Sequence, residues 1–122
     1  MRRFLFVGCG GFVGAMARYG VTLAVARVWT RDFPLATLLI NVSGSFILGL
    51  LATWAAGRTG LDPAWRLLLA TGFVGAYTTF STFEYETQRL AETGAAGWAL
   101  VNVLTSVAAG FLAVRLGVAL AR

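Results

Sequence analysis

Several residue types that chemistry in water relies on are missing or rare in this sequence. Among 122 residues there is no histidine, no lysine and a single cysteine. Transition-metal sites are built from several His and Cys ligands, and an enzymatic nucleophile needs an activating base, so neither kind of site can be assembled from this composition. One cysteine forms no disulfide framework. We therefore predict that the protein is not an enzyme.

Charge is also scarce. Only 12% of the residues are charged, 58% are hydrophobic and the mean hydropathy is +0.77, whereas a soluble domain is about a quarter charged. The net charge of +5 is the excess of ten basic residues over five acidic ones, and all the basic residues are arginines, which are scattered at the ends of apolar segments. Nucleic-acid binding needs a basic face in water, so we predict interfacial anchors and no nucleic-acid partner. The lipid bilayer is the natural solvent of such a chain.

Long uncharged runs indicate how often the chain crosses the bilayer. Four stretches are almost free of charge: 4–26, which has only Arg18, then 33–57, 67–83 and 93–114. About 20 apolar residues cross ~30 Å of hydrocarbon. We predict an all-α membrane protein with four transmembrane helices in one domain, residues 1–122, the spans being 3–27, 34–56, 63–91 and 97–120. Asp62 followed by Pro63 is typical of a helix start and opens the third span.

The third span has an unusual centre. From Thr71 to Thr87, both included, there are two glycines, six threonines or serines, and no leucine. Gly72 and Gly75 weaken a helix, and the hydroxyls offer hydrogen bonds to backbone carbonyls. We predict that this helix is broken near its centre, with carbonyls at mid-membrane that can hold a small cation. The alternative is that the hydroxyls are satisfied within their own helix.

Aromatic and polar side chains alternate just after these glycines. Phe80 and Phe83 are three residues apart, so they share a helix face, and Ser81 and Thr82 lie between them. Aromatic ring edges carry partial positive charge, so edge-on rings can meet a small anion without trapping it. The alternative is a pair of lipid-facing or core phenylalanines.

Polar residues also recur at four-residue intervals in the second and fourth spans. Asn41 and Ser45 share one face of the second span, and Asn102 and Ser106 share one face of the fourth. Asn41 is either a hydrogen-bonding contact between helices or a donor to a permeating ion. Two polar stripes and a broken helix together indicate a path across the membrane.

Arg18 is the only basic residue deep within a predicted span. Burying it is costly unless it snorkels to the interface, pairs with an acid or faces water. Glu86 is the acid that we predict as its partner. If Arg18 faces a vestibule instead, its charge would attract anions.

Taken in order, these segments are similar to the CrcB/Fluc fluoride channels. The likeness covers nearly the whole chain and rests most on residues 72–83 (GFVGAYTTFSTF), followed by Glu86. It also includes residues 10–19 (GGFVGAMARY), residues 39–46 (LINVSGSF) and the step from Ser106 to Gly110.

The resemblance implies an antiparallel, dual-topology homodimer in the bacterial inner membrane, with two pores that export fluoride passively from the cytoplasm. It implies a structural sodium ion at the dimer interface, bound by the backbone carbonyls of Gly75 and Thr78, and Arg18 as a vestibule charge. Relatives often carry Tyr where this chain has Asn102. The implied anion pathway is Asn41, Phe80, Ser81, Thr82, Phe83, Asn102 and Ser106.

Two other functions fit four short spans. A small multidrug antiporter needs a membrane-embedded acid, typically in the first span, where this chain has Arg18 and no acid. A non-conducting assembly protein would use the small residues for helix contacts, but it leaves the Thr/Ser run of the third span unexplained.

Overall fold

The computed structural model describes residues 1–122 and consists of helices joined by short loops, with no strand. Three helices are long and apolar enough to cross a membrane, judged by length and composition: α1 (Arg2–Ala26), α2 (Leu35–Ala56) and α6 (Ala96–Ala121). Their ends lie close to those of the first, second and fourth predicted spans. The remaining elements are α3 (Pro63–Arg66), a π-helix (Leu67–Val74), α4 (Gly75–Tyr77) and α5 (Phe80–Glu92).

The third hydrophobic segment is helical in two pieces. The first piece starts where predicted, since the Asp62 side chain accepts a hydrogen bond from the N–H of Ala64 and Pro63 opens α3. Helical backbone then continues to Tyr77. Thr78 (φ −78°, ψ 158°) and Thr79 (φ −150°, ψ 115°) are extended, and α5 begins at the next residue.

The glycines that we expected to weaken this segment do not lie at its interruption, and one of them has a packing role. Gly72 and Gly75 both lie in helical backbone, and the interruption follows them. A Cβ atom at Gly72 would lie 3.0 Å from the Cα of Gly10. Likewise, a Cβ at Gly10 would collide with the Leu68 carbonyl, so the backbones of α1 and the π-helix are in direct contact. Gly72 thus serves close packing.

Helix packing follows the chain order only partly. The most extensive contact joins α2 to α6, and the next joins α1 to the π-helix, while α5 lies against α6. Gly49 and Gly117 allow the α2–α6 contact, because a Cβ on either would collide with a carbonyl of the other helix.

Little of the chain is enclosed by these contacts. Only 15 of the 122 residues are buried, and large apolar side chains of α1 and α6 face outward. A soluble monomer rarely exposes apolar surface on this scale. The helices therefore present their apolar faces to lipid or to another chain.

Candidate functional site

A cleft of about 230 Å³ opens where α2, α5 and α6 meet. Four of the predicted pathway residues line it, together with two that were not assigned to the pathway. The lining residues are Asn41, Ser45, Phe80, Phe83, Ser106 and Val107. Hydrogen-bonding side chains from α2 and α6 thus share one cleft with two aromatic rings from α5.

The two phenylalanines differ in exposure. Their ring centroids are 5.8 Å apart with planes inclined at 44°. Phe83 is 7% exposed, whereas Phe80 is 74% exposed. One wall of the cleft is therefore fixed within the chain, and the other side is open.

Asn41 connects α2 to the interruption in the third segment. Its Nδ2 donates to the carbonyl of Thr79 over 2.9 Å, and its Oδ1 accepts from the N–H of Thr79 over 2.8 Å. The side chain thus pairs with extended backbone as a neighbouring strand would, and swapping the amide would break both bonds. Asn41 is an interhelical contact, and the second hydrogen on its Nδ2 remains available to the cleft.

Small groups on α2 allow this pairing. A Cβ on Gly44 would collide with the Thr78 methyl group, so glycine lets the extended residues lie against α2 without displacing that side chain. One residue earlier, Ser43 Oγ donates to the carbonyl of Ile40 and lies 2.9 Å from the Tyr77 hydroxyl. Because the Ser43 proton is committed, the Tyr77 hydroxyl is the donor in that second bond. Ser43, Gly44 and Tyr77 were not predicted as site residues, although all three lie in the segments 39–46 and 72–83 that resemble the fluoride channels.

The start of α5 lies at the cleft. Thr79 is its N-cap, accepting from the N–H of Thr82 over 3.3 Å, and the Thr79 hydroxyl donates to Thr82 Oγ1 over 3.0 Å. The N–H groups of the first turn lack helical acceptors and form the positive end of the helix dipole. This end favours an anion beside Phe80. The Ser81 side chain is exposed, and neither Ser81 nor Thr82 lines the cleft.

The interruption also leaves two backbone carbonyls without the N–H donors that they would have in a continuous helix. In a continuous α-helix the N–H of Thr79 would donate to the Gly75 carbonyl, and that of Thr82 to the Thr78 carbonyl. Here the first donates to Asn41 and the second to the Thr79 side chain. Hard cations prefer oxygen ligands of this kind. The carbonyls of Gly75 and Thr78 therefore fit the predicted sodium site chemically.

Asn102 lies behind the cleft and does not line it. It is 1% exposed, and its Nδ2 donates to Thr87 Oγ1 over 2.8 Å. Thr87 in turn donates to the carbonyl of Phe83 over 2.7 Å, and Ser106 Oγ lies 3.4 Å from Asn102 Oδ1. These bonds join α6 to the backbone of α5 at Phe83. Thr87 was not identified from the sequence.

The predicted pair between Arg18 and Glu86 does not form. No ion pair involves Arg18, and the Glu86 Oε2 atom is buried without a hydrogen-bond partner. A polar cavity of about 410 Å³ lies near the end of α1, and Glu86, Arg31 and Arg89 line it. Arg18 does not line this cavity. Arg31, in the loop between α1 and α2, and Arg89, within α5, were not predicted as site residues.

Comparisons with known proteins place these features in a family. The sequence model of the family described as "CrcB-like protein, Camphor Resistance (CrcB)" matches residues 5–118. A protein of Acidobacterium capsulatum named "Fluoride-specific ion channel FluC" is 51% identical, over 94% of this chain and 92% of its own. Proteins with the same name from Methylobacterium nodulans and Solibacter usitatus are 48% and 45% identical, covering 93% and 98% of those relatives. With its apolar helices, the chain is a multi-pass bacterial membrane protein.

Proposed function

Because the chain belongs to the CrcB family, we propose that it is a fluoride-selective channel that lets fluoride leave the cytoplasm passively. Its relatives in three bacterial genera carry the name of such a channel. The observation that supports the assignment in this chain is the cleft of about 230 Å³, where Asn41, Ser45 and Ser106 face Phe80 and Phe83.

Fluoride is small and strongly hydrated, so a pore must replace its water with hydrogen-bond donors. The free hydrogen of Asn41 Nδ2 and the hydroxyl of Ser45 are such donors, and the hydroxyl of Ser106 becomes one when it turns away from Asn102 Oδ1. The first turn of α5 adds a positive dipole end, and the ring edges of Phe80 and Phe83 add weak positive charge. Conduction requires that no single contact bind too tightly, and none of these groups carries a full charge.

The remaining pathway residues take supporting places in this proposal. Ser81 and Thr82 supply hydroxyls on the open side of α5, where an adjacent chain would complete the pore. Asn102 fixes Phe83 through Thr87 and orients Ser106. Arg18 acts as a vestibule charge at long range.

The two pieces of the third segment would cross the membrane as one broken span. Carbonyls then point away from the end of α4 and N–H groups from the start of α5, so the interruption offers a cation site and an anion site close together. The carbonyls of Gly75 and Thr78 would hold a structural Na⁺. When bound, the ion supplies a fixed positive charge that offsets converging carbonyls.

The functional unit would be an antiparallel homodimer with two pores. Phe80 is 74% exposed, so a single chain leaves the cleft incomplete. The ends of the helices differ only modestly in charge, which is compatible with insertion in both orientations. Three arginines lie at the end that holds the α1–α2 loop, and six lie at the other end: Arg2, Arg3, Arg58, Arg66, Arg115 and Arg122.

The orientation of each chain in the membrane can be measured by labelling a single cysteine. Cys9→Ser combined with Thr59→Cys leaves a single thiol in the loop between α2 and α3. In sealed vesicles a membrane-impermeant maleimide should label about half of the chains, the remainder reacting only after detergent is added. Labelling that is complete or absent before detergent would contradict dual topology.

The channel assignment is tested by fluoride efflux from liposomes that contain only this chain, read with a fluoride-selective electrode. Phe80→Ile and Phe83→Ile should each abolish efflux while the dimer persists on size-exclusion chromatography, because the ring edges are lost and the bulk is nearly kept. Phe4→Ile is the matched control, since Phe4 is 81% exposed in the first turn of α1, away from the cleft.

Undiminished efflux in the Phe80 and Phe83 variants would overturn the pathway. A native chain that conducts no ion would overturn the channel itself and favour an assembly protein.

A further inference from the structure

A second groove lies away from the cleft, beneath the loop that joins α2 to α3. It has a volume of about 300 Å³ and opens outward. All the side chains that line it are hydrophobic: Leu50, Leu51 and Trp54 from the last turns of α2, and Leu61, Trp65 and Leu69 from the start of the third segment. Its lining includes Leu61 in the loop, and Leu50 and Leu69 further from the loop in their helices.

Two arginines stand at the loop end of this groove. Arg66 lines a smaller pocket of about 70 Å³ that shares Trp54 and Trp65 with the groove. The Arg58 guanidinium lies over the Trp54 ring, 4.1 Å from the ring centroid. A guanidinium stacked on an aromatic face keeps its in-plane N–H donors free. Neither arginine forms an ion pair, so both charges lack an anion.

We propose that this groove binds a phospholipid with an anionic headgroup. An acyl chain lies along Leu50, Leu69 and the tryptophans, and the headgroup phosphate accepts hydrogen bonds from Arg58 and Arg66. The position at a helix end suits this occupant, because apolar contacts continue into the hydrocarbon while the arginines lie at headgroup depth. A free phosphate would use the arginines but leave the apolar groove empty.

The proposal concerns a site separate from the cleft, so it can be tested without measuring fluoride. Trp29→Phe and Trp98→Phe remove the tryptophans at the other end and leave Trp54 and Trp65 as the only fluorophores of their kind. This protein is reconstituted into vesicles of phosphatidylcholine with a brominated lipid, either brominated phosphatidylglycerol or brominated phosphatidylcholine. Bromine quenches tryptophan only on contact, so the ratio of the two quenching curves gives the preference of the groove for the anionic lipid.

An arginine near an anionic membrane surface contributes about a fivefold preference. We expect the native groove to prefer the anionic lipid by at least that factor, and Arg58→Gln with Arg66→Gln to bring the ratio close to one. Arg58→Lys with Arg66→Lys should restore part of the preference because lysine keeps the charge, and a monodisperse size-exclusion peak shows that the glutamine variant is folded. Arg27→Gln is the matched control and should leave the ratio unchanged. Arg27 is an exposed arginine just after α1, at the end of the helices that lies away from the groove.

Equal quenching by both lipids in the native chain would overturn the proposal, as would a preference that survives in the glutamine variant. Quenching by neither lipid would show that a second copy of the chain covers the groove, and it would also overturn the proposal. Fluoride efflux from the same vesicles reports separately on the channel, so either assignment can fail without the other.

Discussion

The two pieces of the third hydrophobic segment are held in different ways. The first, from Pro63 to Tyr77, is apolar and packs its π-helix against α1 with the two backbones in contact. The second, α5, carries polar side chains and is attached to its neighbours by hydrogen bonds, from Asn41 to Thr79 and from Asn102 to Thr87.

The first piece therefore supports the fold, and the second piece carries the residues of the candidate site. Backbone contact at Gly10 and Gly72 leaves no room for an added atom, so the first piece is held directly against α1 as a support. Hydrogen bonds instead direct polar groups, so the second piece can present Phe80, Phe83 and its own first turn to the cleft. The extended residues between them are paired with α2, so α2 sets where the support ends and the site begins.

The largest expected effect is on the support. A Cβ at Gly10 would collide with the Leu68 carbonyl, and backbone cannot turn aside as a side chain can. Gly10→Ala should therefore destabilise the protein by about 3 kcal/mol, measured as a loss of thermal stability in detergent. Gly8→Ala on the same helix is the matched control, because its Cβ would meet nothing within 4 Å. That variant should be neutral or slightly stabilising, since alanine favours the helix. Equal effects of the two changes would contradict backbone contact as the support.

The next effect is on the boundary between the two pieces. Asn41→Leu removes both bonds to Thr79 and leaves a buried N–H and carbonyl unpaired, at a cost of about 2 kcal/mol. Because the extended backbone loses its partner, we expect both the thermal stability in detergent and the rate of fluoride efflux to fall.

Asn41→Asp provides the matched comparison. The carboxylate still accepts from the Thr79 N–H, but its second oxygen repels the Thr79 carbonyl and carries charge into the membrane, so Asn41→Asp should be at least as destabilising as Asn41→Leu although the side-chain size is unchanged. If Asn41→Leu kept full efflux, α2 would not set the boundary.

Some of this comparison can be predicted from the sequence. The composition indicates helices in a membrane, Asp62 with Pro63 marks a helix start, and the spacing of Phe80 and Phe83 places both at one cleft. These features depend on neighbouring residues and on the 3.6-residue repeat of a helix, and both can be seen in a single sequence.

Other features depend on contacts between distant residues. The role of Gly72 is set by the approach of α1, and the π-helix around it has no periodic signature. The bond from Asn41 to Thr79 spans 38 residues, so the sequence alone could not distinguish a contact between helices from a donor to an ion. Arg18 and Glu86 carry opposite charges but form no ion pair. Composition alone does not show whether two charged residues are close in space.

The smallest expected effect concerns how α6 holds α5. Asn102 is 1% exposed and donates to Thr87, which donates to the carbonyl of Phe83. Hydrogen bonds between membrane helices contribute about 0.6 kcal/mol on average. A double-mutant cycle of Asn102→Ala and Thr87→Val should give a coupling near that value in thermal stability. The single variants should slow fluoride efflux without abolishing it, because Phe83 remains in place but less firmly oriented. A coupling of zero would mean that α6 supports Phe83 by packing alone, and hydrogen bonding would then set the second piece only at Asn41.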